Sequence, residues 1–162
     1  MNTSFEFSIY CIITFLVVLW CAAILAAPVL THAGVHGSAE IIYSMFSRVC
    51  HQNDVHSFHI EGEKCGVCIR CSAIYFGFLG GLLILPWSGA LKRMRIPQPT
   101  LILAFILPMV IDVVLTVSGI HISTTMTRLA TGLFFGSMMP WCIVPLLFEA
   151  CAQLNHKRKF NH

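Results

Sequence analysis

Long apolar stretches, separated mostly by short polar connections, make up this chain. Four of them, at about residues 8–30, 67–87, 99–120 and 129–153, predict transmembrane helices, since about 20 apolar residues cross a bilayer. One connection, 31–66, is long and polar. Within it Ala39, Ile42, Tyr43, Phe46 and Val49 recur at helical spacing among Ser38, Glu40, Ser47 and Arg48. That pattern predicts an amphipathic helix over about 39–49, capped by Ser38 and lying on the membrane surface. It delivers Cys50 and His51 at its end, and 53–66 reads as a polar loop. The expected fold class is all-α: one polytopic membrane domain over 1–162, with four transmembrane helices plus the amphipathic surface helix.

Composition agrees. The chain is 57% hydrophobic and only 10% charged, whereas a soluble domain carries roughly 25% charged residues. A net charge of +3 without a basic stripe excludes a nucleic-acid partner, and the expected surroundings are the lipid bilayer. The first apolar run is about twice the length of a signal-peptide core. Its leading segment MNTSFEF has an acid and no Lys or Arg, so it reads as a retained helix. Lys92, Arg93 and Arg95 crowd one connection and Lys157, Arg158 and Lys159 crowd the tail. Positive charge marks the cytoplasmic side. The expected arrangement is a multi-pass protein of the cell inner (cytoplasmic) membrane, with both termini cytoplasmic and 31–66 outside.

Two helix faces stand out. In the second span Cys68, Cys71 and Tyr75 share one face, and Ala73, Gly77, Gly80 and Gly81 form a small-residue face roughly opposite. Gly77-x-x-x-Gly81, and Gly132-x-x-x-Gly136 in the fourth span, have the spacing that lets helices approach closely. In the third span Asp112 shares a face with Pro108, Thr116 and Gly119. An intramembrane acid needs a partner. The expected polar pair is Asp112 with Arg128, the basic residue near the outer end of the fourth span.

The candidate chemistry gathers at the outer mouth, where Cys65, Cys68 and Cys71 follow Cys50-His51-Gln52. Zinc takes four thiolate or imidazole ligands. Cys68 and Cys71 lie within one helical turn, and Cys50 and His51 can complete the set. Adjacent residues seldom ligate one ion comfortably, which leaves Cys65, His56 or His59 as replacements. The same residues also suit thiol–disulfide exchange. A Cys-x-x-Cys at a helix N-terminus, with Arg70 inside it, favours a thiolate, and Cys50 with Cys65 could form a second pair. That plan is similar to the quinone-coupled disulfide-forming enzymes of bacterial envelopes. A third reading is an accessory subunit of a larger membrane complex, or a homo-oligomer, using the glycine faces. Cys11, Cys21, Cys142 and Cys151 read as small apolar residues. His121 sits at the outer end of the third span, where it could join the site.

The pattern Cys50-His51-Gln52, Ser57-Phe58, Gly62, Cys68-x-Arg70-Cys71-x-x-Ile74-Tyr75-x-Gly77 resembles an uncharacterised family of prokaryotic membrane proteins, domain of unknown function 2085. Asp112, Arg128, Gly132 and Gly136 match its later positions. The resemblance runs from about Cys50 to Gly136 and implies no stated activity. His56 stands where the family usually has Arg, and Cys65 looks like an addition. The shared set implied by the resemblance is therefore Cys50, His51, Cys68 and Cys71, which suits zinc or another soft divalent metal better than two disulfides.

Overall fold

The computed structural model describes residues 3–88, 96–120 and 122–160, excluding the side chains of 3–6, 152 and 154–160. Lys92, Arg93, Arg95 and His121 lie outside the described residues, as do the side chains of Lys157, Arg158 and Lys159. The elements in order are α1 (Thr3–His32), α2 (His36–Ser47), a 3-10 turn (Asp54–His56), β1 (Ser57–Ile60), β2 (Glu63–Cys68), α3 (Ile69–Ile84), α4 (Pro99–Val117) and α5 (Thr125–Phe160).

Among the described residues, three helices are long and apolar enough to cross a membrane: Phe7–His32, Pro99–Val117 and Thr125–Cys151. The expected second span is shorter than 67–87. Val67 and Cys68 belong to β2, Cys68 caps the helix, and α3 ends at Ile84, one residue short of Leu85-Pro86. Its 16 residues cover about 24 Å at 1.5 Å per residue, less than a bilayer core of about 30 Å. Four full-length spans are therefore not shown among the described residues, where α3 is a shorter apolar helix beside the three long ones.

α3 and α5 pack side by side and run parallel. An added Cβ at Gly77 would meet the Leu133 carbonyl at 2.7 Å, and one at Gly132 would meet Ala73 Cβ at 2.7 Å. At Gly81 and Gly136 it would strike the carbonyls of Ser137 and Ile74. The two small-residue motifs therefore grip each other, and the close backbone approach supplies the packing that lipid cannot drive by exclusion. Gly80, expected on the same face, meets nothing within 4 Å.

α1 runs antiparallel to α3. Toward one end Tyr10 packs with Leu82, Leu85, Val144 and Phe148, and its hydroxyl donates to the Leu82 carbonyl at 2.8 Å. Toward the other end Ile24 packs with Phe46, Cys50, Cys65 and Val67, so α1 there carries α2 and the hairpin. α4 packs on α5, where Phe105 and Phe134 have ring centroids 5.7 Å apart. Asp112 is the buried residue of α4. The rest of its surface is largely apolar and exposed, as lipid contact requires.

The amphipathic helix forms, starting three residues before the expected Ala39, with Val35 rather than Ser38 at its cap. Ala39 and Phe46 are buried, Ile42 and Tyr43 half-buried, and Val49 faces out. The expected loop 53–66 is instead a β-hairpin, with Ile60 paired to Glu63 and Ser57 to Cys68. Its turn residues Glu61 and Gly62 both have positive φ, 52° and 82°. Two such residues in a two-residue loop make the turn that matches strand twist, and the second is the Gly this geometry favours.

Candidate metal centre

Cys50 comes off the end of α2, its amide donating to the Phe46 carbonyl at 2.9 Å. Cys68 ends β2 and caps α3, and Cys71 lies in the first turn of that helix. The hairpin thus folds back so that residues 18 positions apart meet. The three sulfurs all lie within 4.8 Å of one another. Two backbone amides converge on Cys50 Sγ, Cys68 N at 3.2 Å and Gln52 N at 3.4 Å. Contacts from the Cys68 and Cys71 thiols, then those amides, outweigh burial and draw the Cys50 thiol well below its ordinary pKa. Donors aimed at a sulfur favour the thiolate, the form that binds a metal.

Gln52 makes this arrangement. Its backbone is left-handed, with φ 46°, which is uncommon for a residue other than Gly. The turn directs its amide onto Cys50. Its side-chain Nε2 donates to the Tyr43 carbonyl at 2.8 Å and the Gly66 carbonyl at 2.9 Å, tying α2 to β2. The sequence signalled Gln52 only as part of the Cys-His-Gln pattern, with no role attached. The floor of the site is aromatic. Trp20 meets Phe46 edge-on at 4.9 Å and Tyr75 at 5.8 Å, and Tyr75 packs beside Cys68 and Cys71 as the helical spacing predicts.

The other candidate ligands fall elsewhere. His51 is exposed, and its ring is not among the grouped ligand atoms. Cys65 is buried but outside the three-sulfur group, and burial pushes its pKa up, keeping it a neutral thiol. His59 points at Asp54, Nε2 to Oδ1 at 3.2 Å, and His56 closes the 3-10 turn. Neither joins the sulfurs.

The expected Asp112–Arg128 pair is corrected. Asp112 forms its ion pair with Arg70, and Ser123 Oγ donates to Asp112 Oδ1 at 2.9 Å. Arg128 turns instead to the Ser123 carbonyl, Nε to O at 3.4 Å. The physical reason is the parallel packing of α3 on α5, which brings the first turn of α3 level with Asp112. Arg70 lies between Cys68 and Cys71, so the same turn that carries two sulfurs also holds α4.

Comparison with known proteins agrees with this pattern. A family described as predicted membrane proteins, domain of unknown function 2085, matches residues 50–142. An uncharacterised protein of Methanocaldococcus jannaschii is 34% identical over 108 residues, covering 67% of this chain and 69% of the relative. No solved structure matches. The matched segment contains the three-cysteine cluster, Arg70, Asp112 and the paired glycine motifs, and the chain belongs to this membrane-protein family.

Proposed function

We propose that this protein is a small integral membrane protein that holds a soft divalent metal, zinc first, through Cys50, Cys68 and Cys71 at its outer face. The observation that carries this reading is the meeting of three sulfurs from separate elements, one of them receiving two backbone amides. Thiolate ligands select zinc and other soft ions over calcium or magnesium. His51 is the proposed fourth ligand, because it follows Cys50 directly and its exposed ring is free to turn. The metal would clip the hairpin to α3. A centre with three protein ligands and an exchangeable fourth would also leave a position for an external donor. The proposed orientation places this face outside the cell inner membrane, with both termini cytoplasmic.

The test is elemental analysis of detergent-purified protein with thiol counting, for the wild type and the Cys50→Ser, Cys65→Ser, Cys68→Ser, Cys71→Ser and His51→Ala variants. Stoichiometric metal is expected in the wild type and in Cys65→Ser. It is lost in the other cysteine variants and weakened in His51→Ala with the thiol count unchanged. A metal-free wild type whose thiols appear only after reduction, with a Cys50–Cys65 bridge, would refute the reading in favour of a disulfide relay.

A further inference from the structure

Away from the three sulfurs, a cleft of about 370 Å³ lies between the hairpin and helices α1, α3 and α5. Phe58, Ile60 and Cys65 line it from the hairpin, Ser72 and Phe76 from α3, and Leu25, Leu129 and Leu133 lie on its flanks. Its volume falls in the usual range for small-molecule sites, about 300–1,000 Å³. Almost every lining atom is apolar. Ser72 is the polar residue of the lining, 4% exposed, and its buried hydroxyl has no hydrogen-bond partner. A buried hydroxyl left unpaired is unfavourable, and an acceptor that reaches it from the cleft would relieve that cost.

The rim residues Leu25, Phe58 and Leu133 are exposed, so the cleft opens sideways. Leu25 and Leu133 sit on the lipid-facing sides of two membrane-spanning helices, about two turns from their outer ends. The mouth therefore faces hydrocarbon close to the membrane surface. A molecule arriving there has an apolar body and one neutral acceptor near its polar end. The ester-linked acyl chain of a bilayer glycerolipid has that chemistry at that depth. A charged head would find no counter-charge on the walls.

We propose that this cleft is a lipid site, in which an acyl chain packs on Phe76, Leu129 and Leu133 and its ester carbonyl accepts a hydrogen bond from Ser72 Oγ. The site is separate from the metal centre and does not depend on it. The test places the full chain in nanodiscs containing a phospholipid with a photoactivatable acyl chain and maps the adducts by mass spectrometry. Adducts should concentrate on the segments 58–60, 72–76 and 129–133. Leu25→Trp, which closes the mouth, should abolish that enrichment while leaving adducts on the outer face of α4. Ser72→Ala should weaken it about fivefold, the equivalent of one neutral hydrogen bond of about 1 kcal/mol. Ether-linked lipid, which lacks the carbonyl, should show the same drop on the unaltered protein, so the result does not depend on any variant folding. Metal content should stay constant throughout. Adducts spread evenly over the exposed helices, or equal labelling by ester and ether lipids, would overturn the proposal. So would a ring-bearing isoprenoid that co-purifies in the cleft in place of lipid.

Discussion

Neutralising Asp112 should be among the most damaging single changes in the chain. The Asp112 side chain is 6% exposed and that of its partner Arg70 18%. Arg70 has little else to turn to. Its Nε is buried without a partner, and its remaining described contact is Ser123 Oγ at a long 3.5 Å. Asp112→Asn therefore strands a guanidinium beside hydrocarbon, and Arg70→Met strands the carboxylate on Ser123. Breaking a buried pair from one side costs about 3–5 kcal/mol, whereas removing both charges costs far less. The double variant should lose no more than either single one. Arg128→Gln removes one contact to a backbone carbonyl and should cost about 1 kcal/mol, nearly additive with Asp112→Asn. The assay is reversible unfolding in mixed micelles followed by tryptophan fluorescence, analysed as two double-mutant cycles. An Arg70–Asp112 coupling below about 0.5 kcal/mol, the scatter expected of independent sites, would refute the pairing. A larger coupling of Asp112 to Arg128 than to Arg70 would restore the pair expected from the sequence.

Other outcomes test the packing and the hairpin. Gly136→Ala should destabilise by about 1–3 kcal/mol, because the new methyl strikes the α3 backbone at Ile74. Gly80→Ala, with open space around it, should be neutral or stabilising by up to about 1 kcal/mol; equal losses at the two positions in thermal melts would argue against the α3–α5 register. Replacing Glu61 by Asn creates the Asn-Gly turn favoured where both residues have positive φ and should raise the melting temperature, whereas a lowered one would contradict the turn. If metal clips the hairpin to α3, chelation should speed hydrogen exchange at Ser118–Thr124 as well as at Gly66–Ser72. Faster exchange confined to the hairpin would mean that Arg70 holds α4 independently of the sulfurs.

Helical periodicity alone makes most of the helical architecture legible in the sequence. The faces Cys68-Cys71-Tyr75 and Ala73-Gly77-Gly81 are local properties of one helix, and the structure forms both. The amphipathic helix is equally readable, because Ala39, Ile42, Tyr43 and Phe46 recur at helical spacing, and the structure buries Ala39 and Phe46. The hairpin is not readable that way. Its strands are four and six residues long, and its turn has Glu61 where Asn or Asp is the usual signal. Once those strands take Val67 and Cys68, the adjoining helix is shorter than hydropathy alone suggests. Cys65 and Cys68 stand three apart in the chain, but the family resemblance sets Cys65 aside, and of the two only Cys68 joins the other two sulfurs. Pairing across helices was the least legible feature. Asp112 announced that it needed a cation, but both Arg70 and Arg128 lie near the outer end of the bundle. The choice between them depends on how α3 and α5 are aligned, and no single-helix pattern contains that.

The alignment also bears on why the proposed metal centre would sit at the mouth of the bundle. Three thiolates around a divalent ion with a neutral fourth ligand carry one net negative charge. Arg70, the nearest cation in the sequence, is already committed to Asp112 and contributes no net compensation. In hydrocarbon such a charge would be severely penalised. At the surface the demand is smaller, and the amides of Gln52 and Cys68 meet part of it by pointing at Cys50. The chain thus separates two electrostatic problems that its sequence places side by side. The acid within the bundle is neutralised by an arginine, and the sulfurs are served by backbone amides that only the hairpin and the left-handed turn at Gln52 can aim. Residue 70 is therefore expected to accept no lysine without loss. Both contacts leave the one guanidinium nitrogen Nη2, and a lysine would keep the charge but replace that planar, weakly hydrated group by a strongly hydrated ammonium that is costlier to bury.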